Sequence, residues 1–189
     1  GRRLGIHGFG AIGRRVAGIA KSYGMDVVVF DKYLNEGKAK ELGVEVARTT
    51  EQLYQDADII SLHIPANPET ENSIDQSLLN LMKEDAILVN TARAEIVDED
   101  SLEVIMKKRS HFRYAADVAP KKVDMSIFGD RAIVTPKKQG AQTFEANVNA
   151  ATQAARQCVD YFVNGRPINA RNNPLPGEMR EYTDLAQAL

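Results

Sequence analysis

Three glycines near the start of the chain have the spacing of a phosphate-binding turn. Gly8, Gly10 and Gly13 follow a short apolar run and precede a segment with helical periodicity. In such a unit the first glycine permits the tight turn, the second lets a pyrophosphate approach the backbone, and the third lets helix and strand pack closely. The phosphate charge then lies at the positive end of the helix. The predicted cofactor-binding turn consists of Gly8, Phe9, Gly10, Ala11, Ile12 and Gly13.

An acidic residue stands where such a turn needs one. A second, mainly apolar run, residues 26–30, is followed directly by Asp31, which lies 18 residues after Gly13. A carboxylate at this place suits the ribose hydroxyls and repels a 2′-phosphate, which predicts NAD rather than NADP as the cofactor. Lys32, the next residue, carries a positive charge that weakens this preference for NAD. The alternative, an ordinary glycine turn before a helix, does not account for Asp31.

The elements that must position these residues alternate along the chain. Short apolar runs predict strands at 4–7, 26–30, 44–47, 58–63, 86–89, 112–118 and 132–134. Helical patterns lie between them, the first marked by Ile12, Val16, Ile19 and Tyr23 and the last running from Thr143 to about Asn164. This order predicts an α/β fold, a doubly wound parallel sheet of the Rossmann type covered on both faces. Ligands of such sheets bind outside the carboxyl ends of the strands.

Composition narrows the functional classes. The 189 residues are 43% hydrophobic, which is enough for a real core. The formal net charge of −2 provides no basic field, so we expect no nucleic-acid partner. The single cysteine excludes a disulfide and cysteine-rich metal sites, and we predict no metal. We find no membrane-spanning run or signal peptide and expect a cytoplasmic protein without a membrane partner.

Besides the glycine turn and Asp31, four later strands deliver polar or special residues at their carboxyl ends. They are His63, Ile64 and Pro65 after the fourth strand, Thr91, Ala92 and Arg93 after the fifth, Asp117 after the sixth, and Lys137 and Lys138 after the seventh. In these stretches the chain resembles the D-isomer-specific 2-hydroxyacid dehydrogenases. The motifs are Gly8–Arg14, Ser61–Pro65, Val89–Arg93 with Ile96–Glu99, Ala116–Val118, Thr135-Pro136 and Gly140–Thr143, and they cover nearly the whole chain in order.

The resemblance implies a domain organisation and an activity. Residues 1–171 would form the NAD-binding domain, and residues 172–189 a linker with the C-terminal segment of a smaller substrate domain. The first part of that substrate domain is absent from the sequence, and the start without methionine suggests a fragment or a processed chain. The family oxidises or reduces D-2-hydroxy and 2-oxo acids with NAD, commonly as homodimers.

The resemblance also assigns roles. Arg93 would be catalytic, binding the substrate's carboxylate and carbonyl oxygen, and would also lie against the cofactor; a structural ion pair is the alternative. Asp117 would face the nicotinamide carboxamide. His63, Ile64, Pro65, Thr91 and Ala92 would contact the cofactor.

The proton-transfer residues depart from the family pattern. The family's general acid is a histidine directly after Thr-Pro, paired with a glutamate that follows the Asp-Val motif. Here Lys137 and Lys138 follow Pro136, and no glutamate lies between Val118 and Thr135. Either the domain is a non-catalytic NAD-binding or sensing module, or a lysine replaces the pair, which we favour because both partners are missing together.

The identity of that lysine is ambiguous by one residue. Counting forward from Thr135-Pro136 gives Lys137, which we prefer, and counting back from Gly140-Ala141 gives Lys138. We therefore name both as candidate catalytic residues. Together with Arg93, Lys121 and Lys122 they could face one cleft and suit a doubly anionic substrate such as a phosphorylated hydroxy acid. The alternative is a set of ordinary basic loops.

Overall fold

The computed structural model describes residues 1–135, Lys138 and residues 143–164, and the strands of this part form one parallel sheet. The sheet order is β3-β2-β1-β4-β5-β6-β7. The strands are β1 (Arg3–His7), β2 (Asp26–Phe30), β3 (Glu45–Val46), β4 (Ile59–Leu62), β5 (Ile87–Asn90), β6 (Arg113–Ala116) and β7 (Ala132–Val134). The helices are α1 (Ala11–Ser22), α2 (Glu36–Glu41), α3 (Thr50–Asp56), α4 (Gln76–Leu81), α5 (Glu99–Lys108) and α6 (Phe144–Asn164). The predicted doubly wound Rossmann-type fold is confirmed.

Both faces of the sheet are buried, as the continuous apolar runs of the strands predict. One core cluster includes Leu53, Leu79 and Ile105 from α3, α4 and α5. A second cluster includes Ala17 from α1 and Ala39 from α2. The sheet therefore presents only its edges to solvent, and the carboxyl edge carries the residues that the sequence singled out.

The helix α1 is present, but it buries a face that its large apolar residues did not predict. Ile12 and Ile19 are 66% and 58% exposed, whereas Gly13, Ala17 and Ala20 are buried. Small residues let the helix axis approach the sheet closely, so the apolar periodicity correctly predicted a helix while its bulky members lie away from the sheet.

The chain divides into two compact units, Gly1–Gln139 and Gly140–Leu189. The first holds the whole sheet. The described part of the second is α6, whose first turn is capped by Thr143: its Oγ1 accepts a hydrogen bond from the Ala146 N–H at 3.1 Å. The domain boundary predicted at residues 171 and 172, and the segment 172–189, lie outside the described residues. Among the described helices, none combines the length and the apolar character needed to cross a membrane.

Candidate functional site

The sheet has a point where its winding reverses, between β1 and β4. From β1 the chain runs outward through β2 to β3, then returns to β4 and continues to β7 on the other side. Ligands of doubly wound sheets bind at this point, outside the carboxyl ends of the strands. A cavity of about 680 Å³ lies here. Its lining includes six of the predicted cofactor residues, namely Gly8, Gly10, Asp31, His63, Ile64 and Pro65.

Each glycine of the turn has a distinct reason to be glycine. Gly8 has φ +98°, and a Cβ there would lie 2.8 Å from the carbonyl oxygen of His63. A Cβ on Gly13 would collide with the carbonyl oxygen of Gly8, because α1 packs directly on the turn. At Gly10 a Cβ would meet no described atom within 4 Å, so space is left open beside the backbone. These observations fit the roles that the spacing predicts.

The start of α1 is suited to an anion. Its N-cap, Gly10, is extended and provides no side-chain cap, and the first turn carries no acidic residue. The first N–H groups of the helix are therefore left for a ligand. Ala11 and Ile12 begin the helix, while Phe9 is buried in the core. Phe9, Ala11, Ile12 and Gly13 support the turn without being among the described residues that line the cavity.

Asp31 ties the glycine turn to the end of β2. One carboxylate oxygen accepts a hydrogen bond from the Phe9 N–H at 2.6 Å, and the other from the Tyr33 N–H at 2.7 Å. A carboxylate has about four acceptor positions, so both oxygens keep capacity for hydroxyl donors in the cavity. This geometry fits the predicted role of Asp31 toward ribose hydroxyls.

His63, Ile64 and Pro65 follow β4 and form the opposite wall of the cavity. The backbone N–H of His63 donates to the carbonyl of His7 at 2.7 Å, and its Nε2 lies 2.9 Å from Ser61 Oγ. Burial lowers the pKa of His63, which keeps the ring neutral at physiological pH. The segment therefore offers a neutral polar group and apolar surface, as contact with a cofactor requires.

The structure adds His7 to this cavity, which the sequence left as a strand residue. Its side chain is 9% exposed, and Nδ1 lies 3.1 Å from the buried Tyr54 hydroxyl. The ring also packs edge-on against Phe30 and Tyr54. Burial lowers the pKa of His7 to about 4, against the opposing effect of the Asp31 charge. The sequence signal that could have identified His7 is its place as a polar residue at the end of an apolar strand.

This buried histidine predicts a loss of stability in mild acid. The unfolded chain takes up a proton near pH 6.5 and the folded one only near pH 4, so folding stability falls as the pH drops through that interval. Between pH 7.5 and 5.0 the His7 contribution is about 2 kcal/mol at most. Urea unfolding at both pH values checks this against His7→Gln, which can hydrogen-bond Tyr54 without titrating. His63 adds the same pH dependence to the parent and to the variant, so the difference between the two proteins reports on His7 alone. An equal pH dependence in both would contradict this prediction.

A second group of predicted residues converges at the ends of β5 and β6. The Nζ of Lys138 lies 3.0 Å from Asp117 Oδ1 and donates to the carbonyl oxygens of Thr91 and Ala92, each at 3.1 Å. The two side chains of this ion pair are only 24% and 13% exposed. Thr91, Ala92, Asp117 and Lys138 are thus brought together at the carboxyl edge of the sheet, two strands from the glycine turn.

Arg93 reaches the same place. Its Nη1 donates to the carbonyl oxygen of Ala92 at 2.8 Å, and Lys138 Nζ donates to that same oxygen. The two cationic nitrogens therefore lie within about 6 Å of each other. The Arg93 side chain is exposed. Two cations at one strand end, one of them free to turn toward solvent, make a site for an anion.

Asn90 holds this loop, a role that the sequence did not reveal. The residue is fully buried at the end of β5. Its Nδ2 donates to the Arg93 carbonyl at 2.8 Å, and its Oδ1 accepts from the Ala92 N–H at 3.1 Å. It also hydrogen-bonds the Tyr114 hydroxyl, whose pKa burial raises to about 12. A buried amide must satisfy its hydrogen bonds, and here they fix the backbone that carries Arg93.

The predicted cluster of five cations is not assembled by the described residues. The Nζ of Lys121 lies 3.2 Å from a Glu95 carboxylate oxygen, and that of Lys122 lies 3.7 Å from Asp100. Neighbouring acids offset the charge of both lysines, as Asp117 offsets that of Lys138, and the expectation that both face the cleft stays a prediction. Lys137 lies outside the described residues, which leaves Arg93 and Lys138 as the cations at this edge. Within the described ranges, no three histidine, cysteine or acidic side chains are grouped as metal ligands would be.

The family model and the similar curated proteins agree on one family. A sequence model described as the NAD-binding domain of D-isomer specific 2-hydroxyacid dehydrogenases matches residues 1–152. D-3-phosphoglycerate dehydrogenase of Methanocaldococcus jannaschii is 35% identical over 100% of this chain and 37% of its own length. A glyoxylate reductase of Aeropyrum pernix is 35% identical over 91% of this chain and 52% of its own length.

A solved structure agrees with the sequence relatives. The crystal structure of NAD⁺-bound 3-phosphoglycerate dehydrogenase of Entamoeba histolytica superposes with a TM-score of 0.77 at 37% identity, covering 92% of this chain and 56% of that one. The chain spans about a third of the length of the curated phosphoglycerate dehydrogenases that it matches.

Proposed function

Since the chain belongs to the D-isomer specific 2-hydroxyacid dehydrogenases and carries their NAD-binding domain, we propose that the whole protein oxidises the CH–OH group of a D-2-hydroxy acid with NAD. We propose D-3-phosphoglycerate as the substrate, which makes the protein a phosphoglycerate dehydrogenase at the entry to serine synthesis. The relatives named for this activity support that choice, and those named glyoxylate reductase define the competing substrate class.

The residues of the cavity fit a dinucleotide. The free N–H groups of α1 and the open space at Gly10 suit the pyrophosphate, and the Asp31 carboxylate suits the ribose hydroxyls. His63, Ile64 and Pro65 would contact the cofactor from the other wall. When bound, NAD accepts the hydride from C2 of the hydroxy acid and NADH returns it in the reverse direction.

The observation that carries the proposal is the pair of cations at the carbonyl oxygen of Ala92. Arg93 presents a planar guanidinium that can bind a carboxylate and the adjacent C2 oxygen together. Hydrogen bonds from such a group stabilise the negative charge that grows on that oxygen when a 2-oxo acid is reduced. Asn90 keeps the Arg93 backbone in place for this contact.

We assign the proton to Lys138 rather than to Lys137, because the contacts of Lys138 support it. Its ammonium group would give a proton to the C2 oxygen during reduction, and its amine would take the hydroxyl proton during oxidation. Asp117 would orient this ammonium group. With the cofactor bound, the Asp117 carboxylate would then contact both the Lys138 ammonium group and the nicotinamide carboxamide that the resemblance implies.

One observation favours the second candidate, a non-catalytic NAD-binding or sensing module. The Lys138 ammonium group donates to the carbonyl oxygens of Thr91 and Ala92 and to the Asp117 carboxylate. A lysine has three N–H donors, so these contacts can occupy all of them. In that case Lys138 would be a structural tie between β5 and β6.

A direct assay separates the two candidates. The whole protein is supplied with NAD and D-3-phosphoglycerate, with glycerate and glyoxylate plus NADH as alternative substrates, from pH 7 to pH 10. We expect NADH to form from phosphoglycerate at least tenfold faster than from glycerate, since two cations favour the more anionic substrate. Failure to turn over any of them while NADH still binds would establish the non-catalytic module instead.

The remaining proposals come from the family pattern. We propose a homodimer in the cytoplasm, with residues 1–171 as the NAD-binding domain and residues 172–189 as the linker and C-terminal segment of the substrate domain. Sedimentation velocity of the whole protein tests the dimer, and a monomer at micromolar concentration would exclude it.

A further inference from the structure

An ion pair joins two segments that line the cofactor cavity. Lys32, directly after Asp31, extends its Nζ to 2.8 Å from Glu69 Oε2. Lys32 comes from the end of β2, and Glu69 from the loop between β4 and α4. Both line the cavity together with Asp31. The pair therefore connects the two walls beside the carboxylate that suits the ribose.

The position of Glu69 is set by its own loop. Asn67 Oδ1 accepts hydrogen bonds from the Glu69 and Thr70 N–H groups at 2.9 and 3.1 Å. The Thr70 hydroxyl donates to the Pro65 carbonyl at 2.6 Å. Since these bonds form a closed turn, the Glu69 carboxylate is presented to Lys32 from a hydrogen-bonded backbone.

Lys32 has a particular significance for cofactor choice. It is the only lysine or arginine among the described residues that line this cavity. NAD and NADP differ by a phosphate on the 2′ oxygen of the adenosine ribose, the side that Asp31 serves. A lysine one residue after this acid is a ready cation for such a phosphate, so its ion pair decides whether that cation is available.

We propose that Glu69 is a specificity-determining residue: by pairing with Lys32 in the lining of the cavity, it withdraws the cation that a 2′-phosphate would need. Glu69 also adds a second negative charge to that of Asp31. The inference rests on the proposed placement of the adenosine half of the dinucleotide in this cavity. It assigns discrimination against NADP to two carboxylates on opposite walls, Asp31 and Glu69.

The test compares NADH and NADPH binding, which needs no turnover. Dissociation constants are measured from the fluorescence of the reduced nicotinamide for the parent protein and for Glu69→Gln. We expect Glu69→Gln to tighten NADPH binding about three- to fivefold, by freeing Lys32 and removing one repulsive charge, and to change NADH binding by no more than about twofold. Raising the salt concentration should reduce this gain.

Two further variants make the result specific. Glu71→Gln removes the same charge from the same loop, and Glu71 is exposed as Glu69 is, but it is not among the described residues that line the cavity. The NADH to NADPH ratio of this variant should match the parent. Adding Lys32→Gln to Glu69→Gln should abolish most of the NADPH gain. The thermal unfolding midpoint of each variant establishes that the protein is folded.

Three outcomes overturn the inference. If Glu69→Gln leaves the NADH to NADPH ratio within twofold of the parent, Glu69 does not determine specificity, while the dehydrogenase proposal stands. An equal gain in Glu71→Gln would reveal only a general charge effect. If the folded parent binds neither nucleotide, the placement of the cofactor fails and the inference fails with it.

Discussion

Lys138→Ala will lower kcat of the whole protein for phosphoglycerate oxidation by about 10²- to 10⁴-fold, the usual range for losing a positioned proton carrier. The dissociation constant for NADH should change far less than kcat, because Lys138 borders only the predicted nicotinamide contacts at β5 and β6, whereas the cavity that suits the pyrophosphate and the adenosine ribose lies at β1, β2 and β4. Steady-state rates and a binding titration measure the two effects separately. If kcat and the affinity for NADH fall by similar factors, Lys138 is a structural tie between β5 and β6 and not the proton carrier.

Added amines distinguish chemistry from structure. Methylamine or ethylamine in the assay should restore part of the activity of Lys138→Ala, because a small amine can occupy the space of the missing ammonium group and carry the proton. A merely structural lysine would give no such rescue. Lys137→Ala is the matched control, the same substitution one residue earlier, and should retain most of its activity. If the two variants behave the other way round, Lys137 is the proton carrier, as the forward count from Thr135-Pro136 predicts.

Arg93→Lys will lower kcat/KM for the hydroxy acid by about 10²- to 10³-fold although it keeps the charge. A lysine is a point charge with one nitrogen and cannot bind a carboxylate and a neighbouring oxygen through two parallel hydrogen bonds. Losing such charge-assisted bonds costs about 1.5–3 kcal/mol each. We expect both a higher KM and a lower kcat, since the same group also stabilises the developing oxyanion.

The same substitution elsewhere in the sheet provides the control for Arg93. Arg113 is exposed and begins β6, so it lies at the opposite, amino edge of the sheet. Arg113→Lys should leave the kinetic constants unchanged. Should Arg93→Lys weaken NADH binding as strongly as it affects the acid, the residue would belong to the cofactor site and the substrate role would be lost.

Much of the fold was predictable because local patterns repeat along the chain. All seven strands of the sheet were predicted near their observed places, since each is a short, mainly apolar segment between polar turns. The glycine turn was predictable from the spacing of Gly8, Gly10 and Gly13, because a Cβ is excluded at Gly8 and Gly13 and open space is left beside Gly10. The buried face of α1 was not, since apolar periodicity does not reveal that small residues face the sheet.

The candidate site was predictable in its list of residues and less so in its contacts. Asp31 and Asp117 directly follow their strands and Arg93 lies three residues after its own, so the parallel topology brings them to one edge. The role of Asn90 required the structure, because a buried amide is recognised only from the groups that it holds. The separate pairing of Lys121 and Lys122 likewise depends on acids that approach from α5 and the residues before it.

By itself the sequence determined the order of strands and helices, the turn that suits a dinucleotide, and the absence of the histidine and glutamate expected for proton transfer. These are properties of short segments, and short segments act through backbone geometry and spacing. Only the tertiary structure decided which partners the charged side chains contact: Asp117 for Lys138, the Ala92 carbonyl for Arg93, and Glu69 for Lys32. Those contacts join positions far apart in the chain or depend on side-chain direction, and an ion pair exists only where folding brings its two partners within a few ångströms.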